Sequence, residues 1–310
     1  RYLESINLKG KSIVLKSLGP EPAIIDGEGV SGSLINCVSG EGPFTRLDGL
    51  VIRGGSGNPD RYGKRSTVGG ALLLLNSSPS VINCRFESNQ VSYNGGGIYA
   101  SNSNSQFQDC VFRGNTAEKG GGIFANRSML SFNGCLFEQN NADFGGAGIF
   151  SDNRSVTTVV GCRFIDNRAS FNGGGLYDYD SATTVTDSVF LNNIGAYKGG
   201  AAYHGWRSRG RIGSGNEFRT PNDDIAGSGR SINQADPLGA CFFGTRCILA
   251  TESACREGRG GWAGPDTRCE EAEPPEPVAS RASGDLNQDG RVDVRDMSIL
   301  LGSWGRRRGP

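Results

Sequence analysis

A phrase of glycines followed by an apolar residue recurs through the middle of this 310-residue chain. The apolar positions lie 25 to 27 residues apart and are Leu72, Ile98, Ile123, Ile149, Leu176 and Ala202. A nearly constant period of this length indicates a stacked array, because each unit is too small to bury its apolar face without its neighbours. The repeat therefore constrains the fold more strongly than any other feature of the chain.

Three further columns of like residues stay in phase with this repeat. The first holds small residues, Cys84, Cys110, Cys135, Cys162 and Ser188. The second follows two residues later, at Phe86, Phe112, Phe137, Phe164 and Phe190. The third follows after three more, at Asn89, Asn115, Asn140, Asn167 and Asn193. Residues two apart share a face in a β-strand, whereas a helix would bury residues three and four apart, so the columns favour strands.

Each unit contains about three strand-like runs, which are separated by Gly, Asn and Ser. Three strands and three turns make one coil of a parallel β-helix, and coils in register stack about 4.8 Å apart. We expect the asparagines at turns in left-handed backbone, with each amide bonded to the asparagines above and below it. The sequence thus predicts an all-β solenoid.

The amino-acid composition agrees with this fold, and the balance of charges bears on which partners to expect. The chain has 49 Gly but only 2 Met and 1 His, which suits a turn-rich all-β protein. Lys plus Arg equals Asp plus Glu at 32 each, so charge gives no reason to expect a nucleic acid or an anionic membrane as partner. The longest apolar run, residues 71–75, is too short to span a bilayer. Because the chain opens at Arg1 within a strand pattern, we expect a preceding portion that holds the N-terminal cap and any export signal.

The combination of GGGI, CxF and Asn resembles the repeats of polymorphic outer-membrane proteins. The opening YLESINLKGKSIVLKS with AIIDGEG resembles the first coils of secreted right-handed β-helix repeat proteins. The resemblance covers about residues 1–236 and implies a right-handed parallel β-helix. It implies function less narrowly, because that superfamily includes lyases and hydrolases of acidic polysaccharides as well as adhesins without chemistry.

The nine cysteines divide into two populations. The column from Cys84 to Cys162 is interpreted as small buried hydrophobes, since thiols in a line over four coils do not form the tetrahedron that zinc needs. Cys37 lies outside that column. The second population, in a Gly-rich segment at residues 237–272, comprises Cys241, Cys247, Cys255 and Cys269. We expect two disulfides here, in any of three connectivities, and hence an oxidising compartment, with zinc as the alternative. The segment also resembles a small Cys-rich module of large secreted bacterial proteins.

The remaining chain is predicted to hold a linker at residues 273–283 and a calcium-binding tail at residues 284–305. The linker is acidic and rich in proline, so it cannot fold by hydrophobic burial. The tail contains DLNQDGRVDVRD, with oxygen ligands at the spacing that wraps calcium: Asp285, Asn287, Asp289, Arg291 through its carbonyl, Asp293 and Asp296. Asp at position 12, followed by MSILLGSW, resembles a type I dockerin repeat within an EF-hand pattern. That resemblance implies a cohesin-like partner, although Val294 and Arg295 replace the usual hydroxyl pair and only one repeat is present.

The position two residues after the apolar one becomes polar in the late repeats. Its residues are Ala100, Ala125, Ser151, Asp178 and His204. With Asp180 nearby, Asp178 and His204 are candidate acids or bases on one exposed face. Arg154 and Arg207 could neutralise the carboxylate of a uronic acid bound there. The alternative is that these charges are merely solvated and that His204 caps the end of the array.

The residue directly after the apolar position is aromatic in five repeats. These residues form an aromatic column: Tyr99, Phe124, Phe150, Tyr177 and Tyr203. Outward rings at strand spacing would form a platform for sugar rings. They could equally be core, or lie beneath a loop such as the insertion at residues 54–68. Because neighbours on a strand face opposite ways, either this column or the isoleucine column points outward.

These features predict a secreted or cell-surface right-handed β-helix that binds polysaccharide or a cell-surface matrix. An enzyme, either a polysaccharide lyase or a glycoside hydrolase acting on an acidic polysaccharide, is the second hypothesis. A purely structural spacer is the third. Binding without turnover, turnover, or neither would distinguish the three.

Overall fold

The computed structural model describes residues 1–60, 63–219, 225–227, 238–243, 246–251, 255 and 261–262. The chain forms a right-handed parallel β-solenoid of about 8 turns, as the repeat predicts. Equivalent strands of successive coils pair in parallel and in register, so that Ile98 lies beside Ile123 and Phe86 beside Phe112. The near-constant period produces this register, since each coil returns the same residue type to the same place.

Three long sheets run along the solenoid. Sheet 1 contains Ile6–Asn7, Ile35–Cys37, Leu72–Leu75, Ile98–Ser101, Ile123–Asn126, Ile149–Asp152, Leu176–Tyr179, Ala202–His204 and Ile225–Gly227. Sheet 2 contains Val14–Lys16, Arg46–Asp48, Ser80–Ile82, Gln106–Gln108, Met129–Asn133, Val156–Val160, Ala182–Thr186 and Arg211–Ile212. Sheet 3 contains Ala23–Asp26, Leu50–Arg53, Arg85–Glu87, Val111–Arg113, Leu136–Glu138, Arg163–Ile165, Val189–Leu191 and Glu217–Arg219.

A fourth sheet departs from the expected three strands per coil. Sheet 4 is short and contains Thr116–Lys119, Asn141–Gly145, Arg168–Ala169 and Ile194–Gly195. It follows the asparagine column and precedes the glycines of the next coil. The segment expected to be a turn is therefore long enough to pair with its equivalent in the next coil, and it forms a ridge beside sheet 1.

The interior of the solenoid is built from the isoleucine, cysteine and phenylalanine columns, which belong to one buried cluster. The phenylalanine rings stack on one another, with 4.6 Å between the centroids of Phe112 and Phe137 and of Phe137 and Phe164. The cysteines of the column are buried and unpaired, as is Cys37. Period-two alternation thus correctly assigned the inward face of sheet 3.

The asparagine column forms a buried ladder. Asn115 Nδ2 donates to Asn140 Oδ1 at 3.0 Å, and Asn140 Nδ2 donates to Asn167 Oδ1 at 2.9 Å. The expected left-handed backbone is nevertheless one residue earlier, for example at Gln139 with φ 53° and at Asp166 with φ 53°. The left-handed residue makes the corner and so turns the asparagine side chain inward, where its amide satisfies backbone groups that the corner leaves unpaired.

Other described strands lie outside the four sheets. Asn58–Asp60 pairs antiparallel with Gly63–Val68, within the insertion between Leu50–Arg53 of sheet 3 and Leu72–Leu75 of sheet 1. Leu238–Phe243 pairs antiparallel with Arg246–Thr251 and Gly261–Trp262, and a disulfide joins Cys241 to Cys255. Cys247 is also disulfide-bonded.

Several sequence-based expectations lie outside the described residues. These are Cys269, the linker at residues 273–283 and the calcium loop and helix at residues 284–305. Within the described part of the chain, no helix is long and apolar enough to cross a membrane.

Candidate functional site

The aromatic column points outward from sheet 1, because it alternates with the inward isoleucine column. Its rings stack face to face, with centroid distances of 5.5 Å from Tyr99 to Phe124 and 4.6 Å from Phe150 to Tyr177. Phe124, Phe150 and Tyr177 are buried in a second small core, against which Phe144 of sheet 4 packs. The middle rings are therefore covered and present no free face to a sugar. The alternative in which the column forms an open platform does not hold for these rings.

A groove of about 470 Å³ opens at the N-terminal end of this column. Its floor is the outer face of sheet 1, lined by Leu73, Leu75, Tyr99, Ser101, Phe124, Asn126 and Asp152. One wall comes from the insertion and from the ridge, through Pro59, Asp60, Val68, Tyr93, Asn94 and Lys119. The opposite rim comes from the turns after sheet 1, through Asn102, Arg127 and Asn153. The insertion at residues 54–68 thus provides a wall of the groove.

Lys119 is held in the wall by aromatic rings. Its Nζ lies 5.2 Å from the centroid of the Phe144 ring and 5.9 Å from the centroids of Tyr93 and Phe150. These distances are typical of cation–π contacts, which position an ammonium group without neutralising it. Within the described part of the chain, Lys119 has no ion-pair partner. The Lys119 ammonium therefore gives the groove a positive charge in a fixed position and hydrogen-bond donors for a ligand.

Asp152 brings a carboxylate to the floor of the same groove. Burial raises the pKa of the Asp152 carboxyl above its ordinary value, and the negative charge of Asp180 acts in the same direction. The backbone N–H of Asn153 and the charge of Lys119 act against this rise without cancelling it. Lys119 and Asp152 both line the groove, and Lys119 lies over Phe150 of the strand that ends at Asp152.

A row of side-chain amides runs along the rim. Asn126 Nδ2 donates to Ser101 Oγ at 3.1 Å, and Asn153 Nδ2 donates to Asn126 Oδ1 at 2.7 Å. Asn102 and Asn153 have left-handed backbone, with φ of 50° and 53°, so they lie where each coil turns away from sheet 1. Because the bonds leave each amide with further donors or acceptors, the row can bind hydroxyl groups that follow the solenoid axis.

Two of the candidate catalytic residues lie inside the solenoid. Asp178 and His204 are each 1 % exposed, and Asp178 Oδ2 lies 2.8 Å from His204 Nδ1. Thr183 Oγ1 donates to the other carboxylate oxygen of Asp178. The expected exposed face is therefore wrong for this pair, because a residue two beyond the inward apolar position shares its inward face. A polymer cannot reach either side chain in this fold.

The ring of His204 also fills the space beside Gly210. A Cβ placed on Gly210 would lie 1.8 Å from His204 Cε1, so a side chain at Gly210 and the imidazole exclude each other. Within the described residues, His204 Nε2 is buried without a hydrogen-bond partner. Asp180, the third candidate, lies in the next turn with φ 48° and does not join the pair.

The remaining predicted binding residues are scattered. Arg154 is exposed in a turn after sheet 1, and the Arg207 guanidinium lies 4.2 Å from the ring centroid of Trp206. Tyr203 is half-buried at the far end of the aromatic column. None of these three residues lines the groove.

Sequence reasoning did not single out Lys119, Asn126 or Arg127. Lys119 occupies a column whose residue type is not maintained, since its equivalents include Asn94, Gly145 and Asn172. Asn126 could have been found, because the outward row of sheet 1 two residues beyond the aromatic column follows from strand alternation alone. That row reads Leu75, Ser101, Asn126, Asp152 and Tyr179.

The parallel solenoid and its outer groove define the class as a β-helix protein. The family described as right handed beta helix region matches residues 48–218, more than half of the chain, and the protein belongs to that family. No curated protein and no solved structure gives a significant match. The family includes polysaccharide-active proteins and surface proteins.

Proposed function

We propose that this protein binds polysaccharide through the groove on the outer face of sheet 1. The observation that carries the proposal is the groove itself, which combines an apolar floor that includes Leu75 and Tyr99, a row of amides along the solenoid axis and one fixed ammonium group. Apolar surface suits the C–H faces of sugar rings, while amides and charged groups suit their hydroxyls. An extended chain is the kind of ligand that can follow such a row.

Binding is favoured over turnover by the positions of the candidate acids and bases. Asp178 and His204, which a lyase or hydrolase would need beside its substrate, are buried in contact with each other. A general acid or base must lie within hydrogen-bond reach of the proton that it transfers. The enzyme hypothesis therefore has no observation in its favour.

We further propose that the protein acts outside the cell or at its surface and that its tail binds calcium. The disulfide Cys241–Cys255 supports an oxidising compartment, since disulfides rarely persist in a reducing cytosol. The calcium ligands, from Asp285 to Asp296, lie outside the described residues, so their support is the spacing of oxygen-bearing side chains. A cohesin-like partner for this tail remains part of the proposal through its dockerin resemblance alone.

The binding proposal is tested with a glycan array followed by calorimetry on the full chain. Lys119→Met should weaken binding about tenfold to a hundredfold, the scale of one lost hydrogen bond to a charged group. Lys198→Met is the matched control, because Lys198 also lies over an aromatic ring, 5.7 Å from the centroid of Tyr197, but does not line the groove. Release of sugar products, or equal loss of binding in both variants, would contradict the proposal.

A further inference from the structure

The described residues that line the groove carry equal numbers of acidic and basic side chains. Among the described lining residues, two are acids, Asp60 and Asp152, and two are bases, Lys119 and Arg127. The rest of the lining consists of amides, hydroxyls and apolar side chains. The described part of the lining thus has no net charge with which to attract a polyanion, in contrast to the basic clefts that concentrate anionic ligands.

Lys119 and Asp152 can be satisfied together by one uncharged ligand. Both groups line the groove, and the Lys119 Nζ lies 5.9 Å from the ring centroid of Phe150, two residues before Asp152 on the same strand. One hydroxyl of a sugar can accept a hydrogen bond from the Lys119 ammonium while a neighbouring hydroxyl donates to the Asp152 carboxylate. The two hydroxyls of a vicinal diol therefore match the donor and the acceptor that the groove supplies.

A sugar carboxylate matches the same pair poorly. If it approached Lys119, it would also approach Asp152, and two carboxylates in a half-buried site repel each other. Asp180 adds negative charge in the turn of the next coil, where its carbonyl accepts a hydrogen bond from the N–H of Arg154, two residues after Asp152. Arg127, the other base, is exposed at the rim, where solvent screens its charge and weakens any compensation.

Resting on the proposed polysaccharide binding, we infer that the groove selects neutral sugars over uronic acids, holding a vicinal diol between Lys119 and Asp152. The apolar floor, which includes the half-buried Tyr99 and Leu75, lies against the C–H groups of the ring. The amides of Asn126 and Asn153 bind the hydroxyls of the next sugar along the solenoid axis. The preferred ligand class is thus an uncharged hexose or pentose polymer.

Calorimetry at neutral pH with the full chain tests this selectivity. The probes are neutral hexasaccharides of glucose, mannose and xylose, compared with hexasaccharides of galacturonate and of alginate. We expect at least one neutral probe to bind ten times more tightly than either acidic probe. Acidic probes that bind more tightly than every neutral probe overturn the inference while leaving polysaccharide binding intact. No binding in either class overturns the proposed function itself.

Two variants locate the origin of the selectivity. Asp152→Asn should raise the affinity for the acidic probes about tenfold, because it removes the repelling charge and retains the shape. Asp166→Asn, at an exposed left-handed position outside the groove, is the matched control and should change nothing. Lys119→Met should weaken the neutral probe. If Lys119→Met affects only acidic probes, or Asp152→Asn leaves their affinity unchanged, the diol arrangement is wrong.

Discussion

At the scale of single residues, Glu41 shows how a buried charge can be made stable. Its side chain is buried, and its carboxylate accepts hydrogen bonds from Gly10 N–H at 2.7 Å, Ser39 N–H at 2.9 Å and Ser77 Oγ at 2.8 Å. Burial alone would raise the pKa of Glu41, but these bonds outweigh burial and hold it below its ordinary value. The carboxylate thus ties together three successive coils at the N-terminal end.

The lowered pKa of Glu41 predicts a loss of stability in acid. The stabilisation is present above the ordinary pKa, near 4.5, and is lost as pH falls through the lower pKa of the folded state. Glu41→Gln should reduce the free energy of unfolding at neutral pH by about 1–3 kcal/mol. The difference from the native protein should shrink below about pH 4, which denaturant titrations at several pH values would measure. A difference that stays constant with pH would contradict this assignment.

Single residues also show where sequence reasoning succeeds and fails. Alternation assigned Cys110 and Phe112 to the interior, because both lie in columns that repeat without change. The same rule places Asp178 and His204 inside, yet their polarity argued for an exposed face. At these two positions the register of the strand, and not the chemical type of the residue, determines the face. Lys119 could not be found in this way, since its importance depends on rings from three different segments.

At the scale of elements, the asparagine ladder is what makes the corners of the solenoid possible. Asn140 Nδ2 donates to Phe112 O at 2.9 Å as well as to Asn167, and Asn140 Oδ1 accepts from the Asn115 N–H at 3.0 Å. Each amide therefore satisfies backbone groups of the preceding coil and the amide of the next. The ladder thus supplies an acceptor for a buried N–H at each corner.

Removing one step of the ladder should therefore cost more than removing one hydrogen bond. Asn140→Ala leaves the buried Asn115 N–H without its amide acceptor, removes a donor to the Phe112 carbonyl and breaks the ladder to Asn115 and Asn167, so the free energy of unfolding should fall by about 3–5 kcal/mol. Asn133→Ala, at an exposed position in sheet 2, is the matched control and should change stability by less than about 0.5 kcal/mol. Chemical denaturation of the two variants makes the comparison. Similar losses in both would show that the ladder carries no special stability.

The elements themselves were predictable to different degrees. Sheets 1, 2 and 3 follow from apolar columns that alternate with polar residues, so their existence and register could be predicted. Sheet 4 was missed although Ala117, Ala142 and Ala169 form a buried column two residues after the asparagines. The other positions of these short segments vary from coil to coil, so no alternation of apolar and polar residues marked them as strands. The groove wall depends on sheet 4 and on the insertion, which explains why the groove was missed while its floor was expected.

At the scale of the whole molecule, the solenoid and the proposed calcium tail use different chemistry. The solenoid is held by stacked apolar columns and ladders of hydrogen bonds. Within its described residues, no cluster of three or more His, Cys, Asp or Glu side chains could hold a metal ion. All proposed calcium ligands lie between Asp285 and Asp296, beyond the described residues. Calcium binding and solenoid stability should therefore be independent.

Calorimetric titration of the full chain with calcium tests that independence. The oxygen ligands at loop positions 1, 3, 5, 7, 9 and 12 predict one saturable site with a Kd of about 10⁻⁴ to 10⁻³ M, the range of extracellular modules. Asp285→Ala and Asp296→Ala should each abolish the heat of binding, since each removes a carboxylate from the small set that balances the charge of the ion. Asp166→Asn, in a turn of the solenoid, should leave it unchanged. The unfolding midpoint of the solenoid should be the same in calcium and in chelator. An absence of saturable heat at millimolar calcium, or full binding in both loop variants, would remove the metal site from the tail.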